Sequence, residues 1–404
     1  MRVLLVCYAI EAGKGSESGS GYNIARRIAA RCPDLTLVTR HNNAALLRED
    51  SAFRGVEIVG YDPPRALTFW KRKSQGVIPY YYLWQIGVGR LAARLHRKRR
   101  FDVAHQYNFH ADWAPHFLSL PGARTVWGPI CHQPLLPSLY LEGAGGDAAR
   151  AERLKWASKQ FFWRFDPALP RAIRATDAIL YANRDVAPPF AKARGKVHLR
   201  TFGGSDLPTA PAPTARDQAL RLIHVGRMVP IKAPHIAMRA LARHLKDAPG
   251  TARLTIVGEG PMHQSLVELA RTLNLGDAVE ILPWMAREAL AAHYAAADAF
   301  LYPSLGNQDS VVAEALAAGL PVIGVEGSGT ALMADQAGLA AGAGDRLLDN
   351  LATRIGELAR LKARDPDGLR DWRNRAHARS AAISWDATAD GIVAHYRGEA
   401  SDPI

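Results

Sequence analysis

The chain has 404 residues, 48% hydrophobic and 22% charged, with a formal net charge of +13. That is two to three domains' worth of chain at about 100–200 residues each, folded rather than disordered, and long enough to bury cores without disulfides or metals. Cys7, Cys32 and Cys131 have no paired spacing, which excludes a disulfide framework and a thiolate metal site, so a reducing cytoplasm is the expected compartment. The apolar run opening at Val3 is far short of the ~20 residues that span a bilayer, so no signal peptide and no transmembrane helix is expected. The charge is uneven: residues 1–200 hold 31 Lys and Arg against 15 Asp and Glu, and residues 201–404 hold 20 against 23. A basic half joined to a near-neutral one suggests that the first faces a polyanion or an anionic membrane, unless it is simply a solvated surface rich in Arg.

In chain order, Met1 to Ala9 reads as a buried parallel strand, followed by a Gly/Ser cluster and a helix over GYNIARRIAARC. LTLVTR, VEIVGY, DVAHQY, RTVWGP and DAILYA repeat the strand signature with helical stretches between most of them. A second series runs through RLIHVGR, ARLTIVGEG, AVEILPW, AFLYPS and LPVIGV, with helices such as APHIAMRALARHL and SVVAEALAAG. Such alternation means βαβ units, hence an α/β chain of two doubly wound parallel sheets. Between the series lies TFGGSDLPTAPAPTARD, rich in Pro, Gly and small residues. The expected division is an acceptor-side domain over 1–205, a linker over 206–217 and a donor domain over 218–383.

The motifs fall where strands end, which is where doubly wound sheets place ligands. GKGSESGSG, from Gly13 to Gly21, brings Gly19, Ser20 and Gly21 to the first strand–helix turn, where backbone can approach an anion. It is no G-x-G-x-x-G, which disfavours a dinucleotide-dependent oxidoreductase. In HVGRMVPIK, Gly226, Arg227 and Lys232 put two cations and backbone N–H groups on a turn, a clamp for a diphosphate. VGEGP adds a tight turn carrying Glu259. YPS and the loop GNQDS, with Gln308, Asp309 and Ser310, open the helix that carries Glu314. That Glu is framed by apolar residues, so its carboxylate needs partners such as ribose hydroxyls.

These residues resemble the retaining glycosyltransferases of family 4, the glycosyltransferase group 1 enzymes, which have the GT-B architecture of two Rossmann-like domains facing across a cleft. The likeness covers nearly the whole chain and is strongest from Leu222 to Gly329. GSESGSGYN looks like the SEPGVGW loop of one subgroup, TVWGP looks like its WGP segment, and ISWDATADGIVAHY looks like the last helix, which returns over about 384–404 to the first domain. The resemblance implies that Arg227 and Lys232 hold the donor's diphosphate, that Glu314 holds the ribose, and that Gly19, Ser20 and Gly21 line the loop facing the diphosphate. It implies a hexose donor carried on a nucleotide, retention of anomeric configuration, and no metal; the Asp365-Pro366-Asp367 triplet alone makes no cage.

Two positions depart from the family pattern. Its first Glu, eight residues before the one matching Glu314, is Gly306 here, and Asp309, Gln308 or Asn307 are the candidates to approach the same place. The usual catalytic His is Tyr107, beside His105, with His110 nearby as a possible compensation. The acceptor side falls to the first half, with Trp127, His110 and His132 as candidate contacts. Two segments there, from Trp70 to Trp84 and from Leu154 to Phe165, mix aromatic and basic residues, which suits the interface of an anionic bilayer. The leading expectation is therefore a cytoplasmic, peripheral-membrane hexosyltransferase acting on a lipid-linked or polysaccharide-precursor acceptor. The alternatives are a soluble small-molecule acceptor and a GT-B-like sugar-nucleotide epimerase. A nucleic-acid-binding protein leaves the second half's motifs unexplained.

Overall fold

The computed structural model describes residues 1–71, 76–107, 109–206, 218–306 and 309–399. The chain starts with β1 (Arg2–Cys7), α1 (Ser16–Arg31), β2 (Asp34–Thr39), α2 (His41–Glu49), β3 (Glu57–Gly60), α3 (Val77–Lys98), β4 (Val103–Tyr107) and β5 (Arg124–Ile130). It goes on through α4 (Ser138–Leu141), α5 (Ala148–Phe165), α6 (Ala168–Ala175), β6 (Ala178–Tyr181) and β7 (Val197–Leu199). The second series is β8 (Leu220–Val225), α7 (Pro234–Asp247), β9 (Ala252–Val257), α8 (His263–Thr272), β10 (Val279–Leu282), α9 (Arg287–Ala296), β11 (Ala299–Leu301), α10 (Ser310–Ala317) and β12 (Val322–Val325). It closes with α11 (Gly329–Ala334), β13 (Gly338–Ala341), α12 (Leu347–Arg364), α13 (Pro366–Ala382) and α14 (Trp385–Arg397).

All strand pairings are parallel, in one sheet of order β3-β2-β1-β4-β5-β6-β7 and another of order β10-β9-β8-β11-β12-β13. These are two Rossmann-like domains, the pair expected of a GT-B chain. The apolar runs follow from burial on both faces. In β1, Val3, Leu5 and Cys7 enter one core while Leu4 and Val6 enter another. In β8, Leu220 and Leu222 pack with Leu241 of α7 and Leu351 and Ile355 of α12, and Ile223 and Val225 pack on the opposite face. Six consecutive residues of α10, Val312 to Ala317, are buried, as befits a helix that is apolar almost all round.

The chain divides into one unit of residues 1–132, 157–202 and 385–404 and another of 133–156 and 203–384. Residues 133–156, which the linear reading puts in the first domain, thus belong to the second unit. The reason is packing: Leu136 and Tyr140 join its core, the Tyr140 hydroxyl donates to the Pro303 carbonyl at 2.9 Å, and His235 bonds the Leu139 carbonyl at 3.2 Å. In the first unit, α14 lies on α1 through Arg27–Asp386 at 3.1 Å and Arg31–Asp390 at 2.6 Å, with Trp385, Ile392 and Tyr396 in the core. Of the expected linker, 207–217 lies outside the described residues. Asp365 serves as a helix cap, accepting from Gly368 N at 3.0 Å, and Asp367 pairs with Arg370.

Candidate functional site

Each sheet order reverses once, and the crevice outside the carboxyl ends of the two strands flanking that point is where such sheets hold ligands. In the second unit these strands are β8 and β11, ending at Val225 and Leu301. Beyond β8 the backbone pairing continues: Gly226 N donates to Val257 O at 3.0 Å, and Met228 N to Glu259 O at 2.7 Å. A side chain at Gly258 would collide with the Gly226 carbonyl, and one at Gly260 would lie 2.5 Å from the Met228 carbonyl. Only glycine lets these two turns close on each other. They leave Arg227 and Glu259 exposed at the strand ends.

The next turn carries Lys232. Its ammonium sits between both oxygens of Asp309, at 2.5 and 2.6 Å, and the Tyr302 hydroxyl donates to Asp309 Oδ2 at 2.9 Å. Burial first, and the neighbouring Asp309 charge second, raise the Tyr302 pKa well above its ordinary value, so the hydroxyl stays a donor. Ser304 ties the loop down, donating to Ile231 O and accepting from Gly306 N, both at 3.0 Å. A Cβ at Gly306 would stand 3.1 Å from the Lys232 nitrogen and 3.6 Å from Asp309 Oδ2. Asp309 therefore brings its carboxylate beside the place a side chain at 306 would enter. Gln308 and Asn307 lie outside the described residues; Ser310 is the first residue of α10. Glu314 is buried in α10, with the Tyr294 hydroxyl 3.4 Å from its Oε2. His224 is fully enclosed beneath the turn, its Nδ1 donating to Leu301 O at 3.0 Å, and burial lowers its pKa to about 4, so it stays neutral.

In the first unit the reversal lies between β1 and β4. Here α1 begins at Ser16, earlier than the glycine cluster suggested, so Gly19, Ser20 and Gly21 belong to its first turns rather than to a loop. Glu17 in the first turn suits the helix dipole, and a side chain at Gly19 would strike the Lys14 carbonyl. Glu17 reaches across to accept from His110 N at 3.2 Å, and Ser20 bonds the Tyr107 hydroxyl at 2.8 Å.

Three candidates from the sequence are packed into the interior. His105, expected as catalytic, is 0% exposed: Nε2 donates to Gly128 O at 2.8 Å and Nδ1 accepts from the Tyr396 hydroxyl at 2.6 Å. Burial lowers its pKa to about 4. Tyr107, at the usual catalytic-His position, is packed in the core with its hydroxyl taken by Ser20, and burial drives its pKa upward. Trp127, an expected acceptor contact, is buried against Phe190 and His116. The remaining candidate, His132, belongs to a network that the sequence marks only in part. Its Nδ1 bonds the buried Asp112 at 2.7 Å, Lys159 pairs with the same carboxylate at 3.3 Å, and Asn183 holds the His132 backbone. The network's marks in the sequence are His132 itself and Lys159 inside LKWASKQFFWRF.

Residues 219–360 match the family model described as glycosyl transferases group 1. That segment is a glycosyl transferases group 1 domain. The D-inositol 3-phosphate glycosyltransferase of Kineococcus radiotolerans is 36% identical over 222 residues, 49% of this chain and 51% of its own length. That of Rhodococcus opacus is 35% identical over 297 residues, 68% of this chain and 63% of its own. The chain spans about half the length of the curated relatives it matches. Among solved structures, sucrose-phosphate synthase from Thermosynechococcus elongatus shares the fold at TM-score 0.64 and 19% identity, covering 98% of each chain. Anabaena Alr3699/HepE in complex with UDP does so at 0.62 and 16%, over 98% of this chain and 100% of that one. WaaG, a glycosyltransferase involved in lipopolysaccharide biosynthesis, does so at 0.59 and 17%, again over 98% and 100%. Arg227, Lys232, Tyr302, Asp309 and Glu314 all lie inside the group 1 domain; His105, Tyr107, Trp127, His110 and His132 lie outside it.

Proposed function

We propose that the chain transfers a hexose from a nucleoside-diphosphate sugar to a hydroxyl of a small polar acceptor, with retention. The observation that carries this is the β8–β11 reversal point, where interlocked glycine turns hold two cationic side chains, Arg227 and Lys232, at strand ends. Charge grows on the diphosphate as the sugar leaves through an oxocarbenium-like state, so cations fixed there lower the barrier and no metal is called for. Buried Glu314 accepts the ribose hydroxyls. The solved relative Alr3699/HepE in complex with UDP-glucose supports this class of donor. The small acceptor, favoured over the lipid-linked one, is supported by the names of the relatives, D-inositol 3-phosphate glycosyltransferases. Calorimetry with UDP, GDP and ADP sugars, followed by product analysis on inositol phosphates and other polyols, tests the reading. It fails if no nucleotide sugar binds.

A lipid-linked acceptor is the second reading, favoured by one face of α5. In the first unit's part of the helix, Phe161 and Phe165 lie on that face, 59% and 64% exposed, beside exposed Arg164. No described helix is long and apolar enough to cross a membrane. Exposed aromatic rings beside a cation suit the plane of an anionic interface. Flotation with phosphatidylglycerol vesicles decides: salt-sensitive binding supports this reading, and none removes it.

A further inference from the structure

We infer that Asp309 is a built-in competitor for the donor's diphosphate on Lys232, one that expels the spent nucleotide and admits the loaded sugar donor; this rests on the donor reading above. The carboxylate grips the Lys232 ammonium with both oxygens, and Tyr302 fixes it from the other side. Asp309 also occupies the cap position of α10, where an Asp side chain ordinarily accepts from the helix's first N–H groups. It makes no such bond here. The carboxylate is committed to Lys232 instead.

A diphosphate and Asp309 therefore want the same cation. Binding either displaces the carboxylate or sets like charges side by side, and both weaken affinity for the nucleotide. A loaded donor brings compensation. Its sugar hydroxyls are hydrogen-bond donors that a carboxylate freed from Lys232 can accept from; in its Lys232-bound position that carboxylate stands 3.6 Å from where a Cβ at Gly306 would lie. Once the sugar has gone, only the competition remains. Asp309 thus holds the product's affinity below the substrate's, and product release is the step that limits many enzymes.

The test is calorimetry with UDP, GDP and ADP and with the nucleotide sugar preferred among them. Asp309→Asn should bind the free diphosphate roughly three- to tenfold tighter, the scale of one partly exposed ion pair. It should bind the sugar donor no tighter, and show stronger product inhibition. Tyr302→Phe should move the same way by less. With Lys232→Met in place, Asp309→Asn should no longer tighten binding. Unchanged or weaker diphosphate binding by a folded Asp309→Asn overturns the inference. If wild type binds none of the three nucleotides, or Arg227→Ala binds as wild type does, the donor reading falls first.

Discussion

The two reversal points are built from the same strand order and differ in what they put there. At β8–β11 the chain places charge: Lys232 and Asp309 in direct contact, Arg227 exposed, and glycines that let backbone meet backbone. At β1–β4 it places closure, with Ser20 bonded to Tyr107 and His105 bonded to Gly128 and Tyr396. On the function proposed above, the same topology serves chemistry in one unit and cohesion in the other. Variants should separate along that line, with rate affected in the second and stability in the first.

The largest effect belongs to the charged point. Arg227→Ala should lower kcat/KM for transfer by about 10²–10³, the scale for one lost transition-state contact, with the melting temperature unchanged because the side chain is exposed. Lys232→Met should lose as much and also some stability, since it strands the Asp309 carboxylate. Wild-type turnover in both would make the two reversal points alike and undo the contrast.

Next comes His105→Ala. It leaves the Gly128 carbonyl and the Tyr396 hydroxyl unpaired in a dry interior, a cost of about 2–5 kcal/mol read by urea denaturation. Turnover per folded molecule should hold. Collapse of turnover at unchanged stability would return His105 to the catalytic group.

Legibility follows the same line. The strands announce themselves because burial on both faces demands unbroken apolar runs, and Arg227, Lys232 and Asp309 stand out because short loops keep them near motif glycines. Residues 133–156 carry no comparable mark; their place in the second unit depends on Leu136 and Tyr140 finding that core. Asp112, His132, Lys159 and Asn183 meet only through the fold, from positions 20 to 51 residues distant from His132 or Asp112. His105 reads as a site residue because it stands near the end of β4, two residues before Tyr107. What decides its role is a partner on α14, 291 residues away.

Acid should sharpen the contrast. His105, His116 and His395 in the first unit have pKa values lowered by burial to about 4, 3 and 3, and His224 and His235 in the second to about 4. A histidine lowered in the folded state takes up protons more readily when unfolded. Its contribution is therefore complete above about pH 6.5 and is lost as pH falls toward the folded value. Each should lose about 2 kcal/mol between pH 6.5 and 5. His244 and His377 of the second unit are lowered by burial as well, so the two units should lose stability together down to about pH 4, and only the deeper shifts of His116 and His395 carry the loss further in the first. Hydrogen exchange should show β4 and β5 losing more protection than β8 and β11 below about pH 4, with no difference above it; greater loss in β8 and β11 below pH 4 would contradict this.

The smallest effect isolates one bond of the first unit. Tyr107→Phe keeps the ring in its core and removes only the hydroxyl held by Ser20 at 2.8 Å. A neutral hydrogen bond of this kind contributes about 1 kcal/mol, and Ser20→Ala should cost a similar amount. Because the two changes remove the same contact, the double variant should be less destabilised than the singles added together, by about that same 1 kcal/mol. Denaturation midpoints of the four proteins give the coupling directly. Turnover should stay within about threefold of wild type throughout, since a hydroxyl whose pKa is driven upward by burial is no proton acceptor. A loss of 10²-fold or more in Tyr107→Phe alone, with Ser20→Ala unaffected, would show that the phenol faces substrate, and β1–β4 would then carry chemistry as well as cohesion.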